Sequence, residues 1–147
     1  MQKFQFSLDC VLQYRQTQFE MQQARLEALF SELNDLEKQE QSLVSQRIAE
    51  DAAVKSQSSS MALSLVALDA FNRYAGLQKT ALDLRRIDCL DRIRKQQQAV
   101  VEARRDRELL ERMRGKRKAE WQRGVYKEIE DLASELHQAR WSREHHL

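Results

Sequence analysis

The stretch LEALFSELNDLEKQEQSL, residues 26–43, places leucine at Leu26, Leu29, Leu33, Leu36 and Leu43, with Glu40 in the one intervening seam position. Steps of three and four residues put all six on one line of an α-helix, the seam of a coiled coil. Followed backward, the line takes in Leu12, Arg15, Phe19 and Gln22; followed forward, it takes in Arg47, Glu50 and Val54. Near Leu43 the apolar positions drift to Val44, Ile48 and Ala52, as a slip in heptad phase would produce. The spacing predicts a first helix over residues 7–55.

SQSSS, residues 56–60, is the one low-complexity polar break. Serine competes for backbone hydrogen bonds and favours turns and helix N-caps, so Ser59 or Ser60 is expected to cap a second helix. That helix, residues 61–143, carries Val66, Ala70, Tyr74, Leu77, Ala81, Leu84, Ile87, Leu90 and Ile93. It continues less cleanly through Val100, Leu110, Met113, Trp121, Val125, Ile129, Leu132, Leu136 and Ala139. The chain has no proline and only three glycines, and a short turn makes the two helices antiparallel neighbours. The expected fold is all-α: one domain, a long two-helix antiparallel coiled-coil hairpin whose second helix is the longer. Residues 1–6 form an extended arm and residues 144–147 a tail. Folding about residue 58 lets helix 1 cover helix 2 only to about residue 109, so that the rest projects as a lone helix.

The start of the chain, FQFSLDCVLQYR at residues 4–15, changes period partway, from alternation to helical spacing. With Ser7 as N-cap, Phe6 and Val11 take the two positions of a hydrophobic staple. Phe4 is then expected to cover Leu109, Leu110 and Met113 where helix 1 stops. The register keeps Cys10 and Cys89 roughly 25 Å apart along the second helix, beyond the reach of a disulfide; both are expected as small, at least half-buried packing residues.

No stretch is long and apolar enough to span a bilayer, and the first ten residues lack the apolar run of a secretory signal. A soluble protein of a reducing compartment is expected. Glycine-rich phosphate loops, nucleophile elbows and Cys/His metal spacings are missing, so neither enzymatic activity, nor a cofactor, a metal or a small-molecule substrate is expected.

Charge is unevenly spread. Residues 85–123 carry 14 basic and 7 acidic groups, whereas the flanking segments are weakly acidic. The densest part, RRDRELLERMRGKRKAEWQR at residues 104–123, has three readings. It is a solvated face with i,i+4 pairs, a docking surface for an acidic protein, or a nucleic-acid-binding helix. Asp106, Glu108, Glu111 and Glu120 are interleaved where they pair with arginine and repel phosphate, which counts against the last. A second feature is LDAFNRYAGLQ, residues 68–78. There Tyr74 and Leu77 fit the seam, while Phe71 and Gln78 fall beside it, as seam packing or as a partner-binding patch.

The N-terminal pattern of Phe4, Phe6, Leu8, Val11, Leu12, Tyr14 and Arg15, the run around Tyr74 and the run RELLERMRGKRKAEW at residues 107–121 resemble the FliJ family of flagellar type III export proteins and its virulence-secretion counterparts. The resemblance covers nearly all of residues 3–143. It implies a cytoplasmic, non-enzymatic protein at the inner-membrane base of the flagellum, similar to the central stalk of rotary ATP synthases. Such a stalk binds and activates the hexameric export ATPase, contacts the membrane export-gate protein and takes part in handling substrate chaperones. The basic residues expected to meet the ring are Arg104, Arg105, Arg107, Arg112, Arg114, Lys116, Arg117 and Lys118. The resemblance places the gate contact at Phe71, Tyr74, Gln78, Ala81 and Arg85. The alternatives are an export chaperone or scaffold without a stalk role, and a basic coiled coil for nucleic acid.

Overall fold

A computed structural model of the chain describes residues 2–56 and 61–146. These form two helices and no strand: α1, Asp9–Ser56, of 48 residues, and α2, Met61–His145, of 85 residues. The fold is an all-α helical hairpin with the longer helix second. The expected turn and the Ser59 or Ser60 cap fall at 57–60, outside the described residues. The chain divides into two compact units, Glu20–Val101, and Met1–Phe19 together with Glu102–Leu147.

The first of these is built on the leucine line. Leu36, Leu82, Cys89 and Ile93 form a buried cluster, with Leu26, Leu29, Leu33 and Leu43 packed against it. The α1 side therefore follows the predicted seam as far as Leu43. The drift positions Val44, Ile48 and Ala52 are all exposed, whereas Val54 of the expected line and Asp51 are half-buried. On α2 the expected line is met at Ala81, Ile93 and Val100, which are half-buried or buried, but not before or between them. Leu68, Phe71, Ala75, Leu82, Cys89, Ile93 and Gln96 are buried or half-buried, whereas Val66, Tyr74, Leu77, Leu84, Ile87 and Leu90 are exposed. At 100° per residue Val66, Leu77 and Leu84 lie roughly opposite Ala75, Leu82 and Cys89, with Tyr74 and Leu90 at the flanks. The inward line includes two small residues. Ala75 is 1% exposed and Cys89 fully buried, close enough to α1 for the Cys89 thiol to donate to the Leu29 carbonyl at 3.5 Å.

Polar residues at the seam are paired across it. Gln96 Nε2 donates to both the carbonyl and the side-chain oxygen of Gln22, at 3.0 and 2.7 Å, so a half-buried amide is not left without partners. At the edges Arg92 bonds Glu32 at 2.9 Å, and Arg86 lies 3.8 Å from both Glu37 and Glu40.

In the second unit the N-terminus departs from expectation. The helix begins at Asp9, Leu12 N–H donates to the Leu8 carbonyl, and Asp9 N–H donates to the Phe6 carbonyl in a turn. Leu8 therefore stands at the N-cap, and Ser7 Oγ accepts from Arg117 at 3.0 Å. Shifting the helix start by one residue removes the Phe6–Val11 staple register. Phe6 is nonetheless buried, and Val11 is exposed. Asp9 in the first turn complements the helix dipole.

The arm reaches further than helical register allows. Phe4 packs on Trp121, ring centroids 5.9 Å apart, and Trp121 Nε1 donates to the Gln2 carbonyl at 3.1 Å. The expected cover was Leu109, Leu110 and Met113. Extended chain advances about 3.3 Å per residue and helix about 1.5 Å, so each arm residue passes two residues of α2. Arg114 and Arg117 thus lie beneath the arm, and the basic stretch does not stand alone as a bare helix. Cys10 is exposed, contrary to the packing role expected of it.

Candidate functional site: a basic face divided by an aromatic clamp

The eight candidate ring-facing cations belong to one stretch of α2, but their side chains fall into two sets. Arg104, Arg107, Arg114 and Arg117 turn toward the start of α1 and the arm. The Arg107 guanidinium stands 4.4 Å from the Phe19 ring centroid, and Arg104 covers the same ring at 5.6 Å. Arg117 lies 5.6 Å from the Phe6 ring and Arg114 6.0 Å from Phe4. Phe6 and Phe19 are 5% and 6% exposed, so these rings are sealed partly by the arginines themselves.

Oxygen ligands complete this set. Arg107 Nη1 donates to Gln16 at 3.3 Å, and its buried Nε, without a hydrogen bond, sits 3.6 Å from the Glu111 carboxylate. Arg114 pairs with Asp9 at 3.3 Å. Next along the face, Arg15 donates to Asp106 at 3.2 Å. Each exposed cation–π contact is worth about 0.5–1 kcal/mol and each exposed ion pair about as much or less. The clamp is therefore a sum of small terms.

Of the other set, Arg105, Arg112 and Lys116 face away, whereas Lys118 lies about 140° round the helix from them, on the Arg107 side. Among the described residues Arg105, Lys116 and Lys118 make no ion pair or hydrogen bond, and Arg112 reaches only Glu108 at 3.9 Å. At 100° per residue, Arg105, Arg112 and Lys116 fall within about 20° of one line, and Arg123, equally unpaired, continues it. Val101 and Leu109 are exposed beside this line. The result is an outward cationic edge with apolar neighbours, opposite the face that α1 and the arm cover.

The candidate gate residues lie in the other unit. Tyr74, Gln78 and Arg85 line an open groove with Gln39, Ser42 and Leu43. Phe71 is half-buried against Val54 and Ala67 in a neighbouring groove, and Ala81 is half-buried. Phe71 turns toward α1, contrary to expectation; Tyr74 stands at the flank, more than half exposed, Leu77 faces out, and Gln78 is exposed as expected. Leu77, 73% exposed, joins Leu63, Val66 and Leu84 in an apolar line on the back of α2.

Sequence reasoning missed Phe19, Asp9 and Gln16 as partners of the basic stretch. Their signal was faint: an aromatic in the α1 seam opposite a register that supplies arginine at Arg107. Among the described residues no group of three His, Cys, Asp or Glu side chains could hold a metal, and no helix is long and apolar enough to cross a membrane. What the fold and the site define is a helical hairpin with a basic, outward-facing helix edge. Comparison with known family models, curated proteins and solved structures returns no match.

Proposed function

We propose that the chain is a FliJ-like stalk of a bacterial type III export apparatus, non-enzymatic and cytoplasmic, acting at the inner-membrane base of the flagellum. In this reading it binds and activates the hexameric export ATPase and connects it to the export gate. The observation that carries it is the unequal hairpin with unpaired cations, Arg105, Lys116 and Lys118, on the longer helix. Solvent-accessible guanidinium and ammonium groups can trade carboxylate partners as ring subunits change state, because each exchange costs little. Arg112 belongs to this outer set, its hold on Glu108 being weak. Arg114 and Arg117 support the ring contact indirectly by holding the arm, and Arg104 and Arg107 by covering Phe19 of α1.

A second reading is an export chaperone or scaffold that escorts clients to the gate without a stalk role. The exposed line of Leu63, Val66, Leu77 and Leu84 favours it, since apolar surface of that length suits a protein partner. In both readings Tyr74, Gln78 and Arg85 mark the gate-facing groove.

Titrating the export ATPase with this protein at physiological salt separates them. The stalk reading expects a saturable rise in ATP hydrolysis that falls when Arg105, Arg112, Lys116 and Lys118 are reversed to glutamate. No rise with an assembly-competent ATPase would sink it in favour of the scaffold. A rise indifferent to the reversals would move the ring contact off this edge.

A further inference from the structure

Beyond Trp121 the inner face of α2 keeps its apolar spacing after the covering segment has ended. Val125 is half-buried, whereas Ile129, Leu132 and Leu136 are exposed, the last two at 61% and 62%. With Ala139 they lie within about 40° of one line at 100° per residue. That line prolongs the face through Ala103, Arg107, Leu110 and Trp121, half-buried residues of the same unit. Gln2, the first described residue, already lies against Trp121, and every residue from 126 to 141 is exposed. The two edges of the line differ in charge. Glu128 and Glu135 flank it on one side within about 80°, with Asp131 further round; Gln122, Tyr126, Ala133 and Arg140 flank the other.

We propose that this stripe, Val125 to Ala139, is a docking site for one amphipathic helix of another protein, with an apolar heptad seam and basic residues on the edge that meets Glu128, Asp131 and Glu135. Continuity argues for a helix: the stripe extends a face on which this same unit already packs α1 and the arm, so a helix laid in line with α1 prolongs existing packing. Charge argues for the occupant. In antiparallel pairs like flanks face each other, so a second copy would lay its Glu128–Glu135 edge on the same edge, at a cost in like-charge repulsion. Lysine or arginine on the incoming helix turns that cost into attraction. The same acidic edge repels a nucleic-acid backbone. The proposal does not rest on the stalk reading.

The test uses the full chain and two labelled synthetic helical peptides of about three heptads, identical in their leucine seams. One carries lysine and arginine at the flanking positions and the other glutamate. The expected result is one-to-one saturable binding of the basic-edged peptide at physiological salt, with the glutamate twin at least about tenfold weaker. Leu132→Asp and Leu136→Asp, at exposed positions that leave helicity intact by circular dichroism, should abolish binding; Glu128→Lys with Glu135→Lys should reverse the preference. Equal binding of the two peptides, binding that survives Leu132→Asp, or no binding would overturn it. So would a concentration-dependent dimer of the parent, in sedimentation, that Leu132→Asp disperses.

Discussion

Glu20–Val101 and the unit made of the two chain ends join α1 to α2 by different chemistry. In the former, leucine meets leucine around Leu36, Leu82 and Ile93, and a thiol and an amide pair close the remaining gaps. In the latter, guanidinium groups lie on phenylalanine rings and reach to Asp9, Gln16 and Ser7. Apolar burial scales with area and is largely indifferent to salt. Arginine–aromatic and ionic contacts are many, individually weak and open to solvent. The leucine unit, though edged by the Arg92 and Arg86 ion pairs, therefore rests chiefly on apolar burial, and the arginine unit on contacts that salt and substitution should loosen.

The largest expected effect tests that division directly. Leu36→Ala empties part of a buried cluster and should cost about 2–5 kcal/mol, read from the denaturant midpoint. Leu132→Ala, a truncation of the same side chain where it is exposed, should stay within about 0.5 kcal/mol. Comparable losses at both positions would mean that residues 126–141 are packed rather than bare.

Phe19→Ala comes next. It strips the ring from beneath Arg104 and Arg107 and should cost up to about 3 kcal/mol. Hydrogen exchange should locate the loss: amides of residues 102–117 should exchange faster, while those of residues 82–93 keep their protection. Uniform acceleration would show that the two units open as one.

Much of this fold was legible because Leu26, Leu29, Leu33 and Leu36 leave a single apolar line on α1, and SQSSS marks the only polar break. On α2 the sequence offered two lines. Leu77 and Leu84 are exposed, while Ala75, Leu82 and Cys89 take the inner face. Spacing alone does not choose between two apolar faces of one helix; the fit against α1 does. The candidate site was legible as composition only. A count of cations cannot reveal which of them a phenylalanine about three turns into α1 will hold, nor that an extended arm runs past two helical residues for each of its own.

Ionic strength should produce a smaller, one-sided effect. Raising salt from 0.1 to 1 M shortens the screening length from about 10 to about 3 Å. Arg114–Asp9 and Arg15–Asp106, both half-exposed, should weaken. Exchange near residues 106–114 should then quicken modestly while the Leu36–Ile93 cluster is unmoved. Loss of protection in the cluster as well would deny that the clamp alone is ionic. The cation–π contacts, partly dispersive, should keep the arm from leaving altogether.

The smallest effect concerns Cys89 and separates the units by proton affinity. Burial pushes its thiol above its ordinary 9.0; Glu32 and Asp88 add to the shift and Arg92 opposes it. With the folded value above the unfolded one, the neutral thiol's contribution is full below the ordinary thiol range and is lost as pH rises through the folded value. Asp91 works at the other end. Its hydrogen bond from Lys95 holds the carboxyl below the usual range, so that contribution is present above the unfolded value and fades as pH falls through the folded one. Between neutral pH and pH of about 10, the denaturation midpoint of the parent should therefore fall more steeply than that of Cys89→Ala. Cys10, exposed in the other unit, supplies the internal control: it should alkylate rapidly in the native protein while Cys89 reacts only on unfolding. Parallel slopes with equal alkylation rates would mean that the contact between Cys89 and Leu29 is open to water, and the sealed seam would then begin at Leu82 and not run through Cys89.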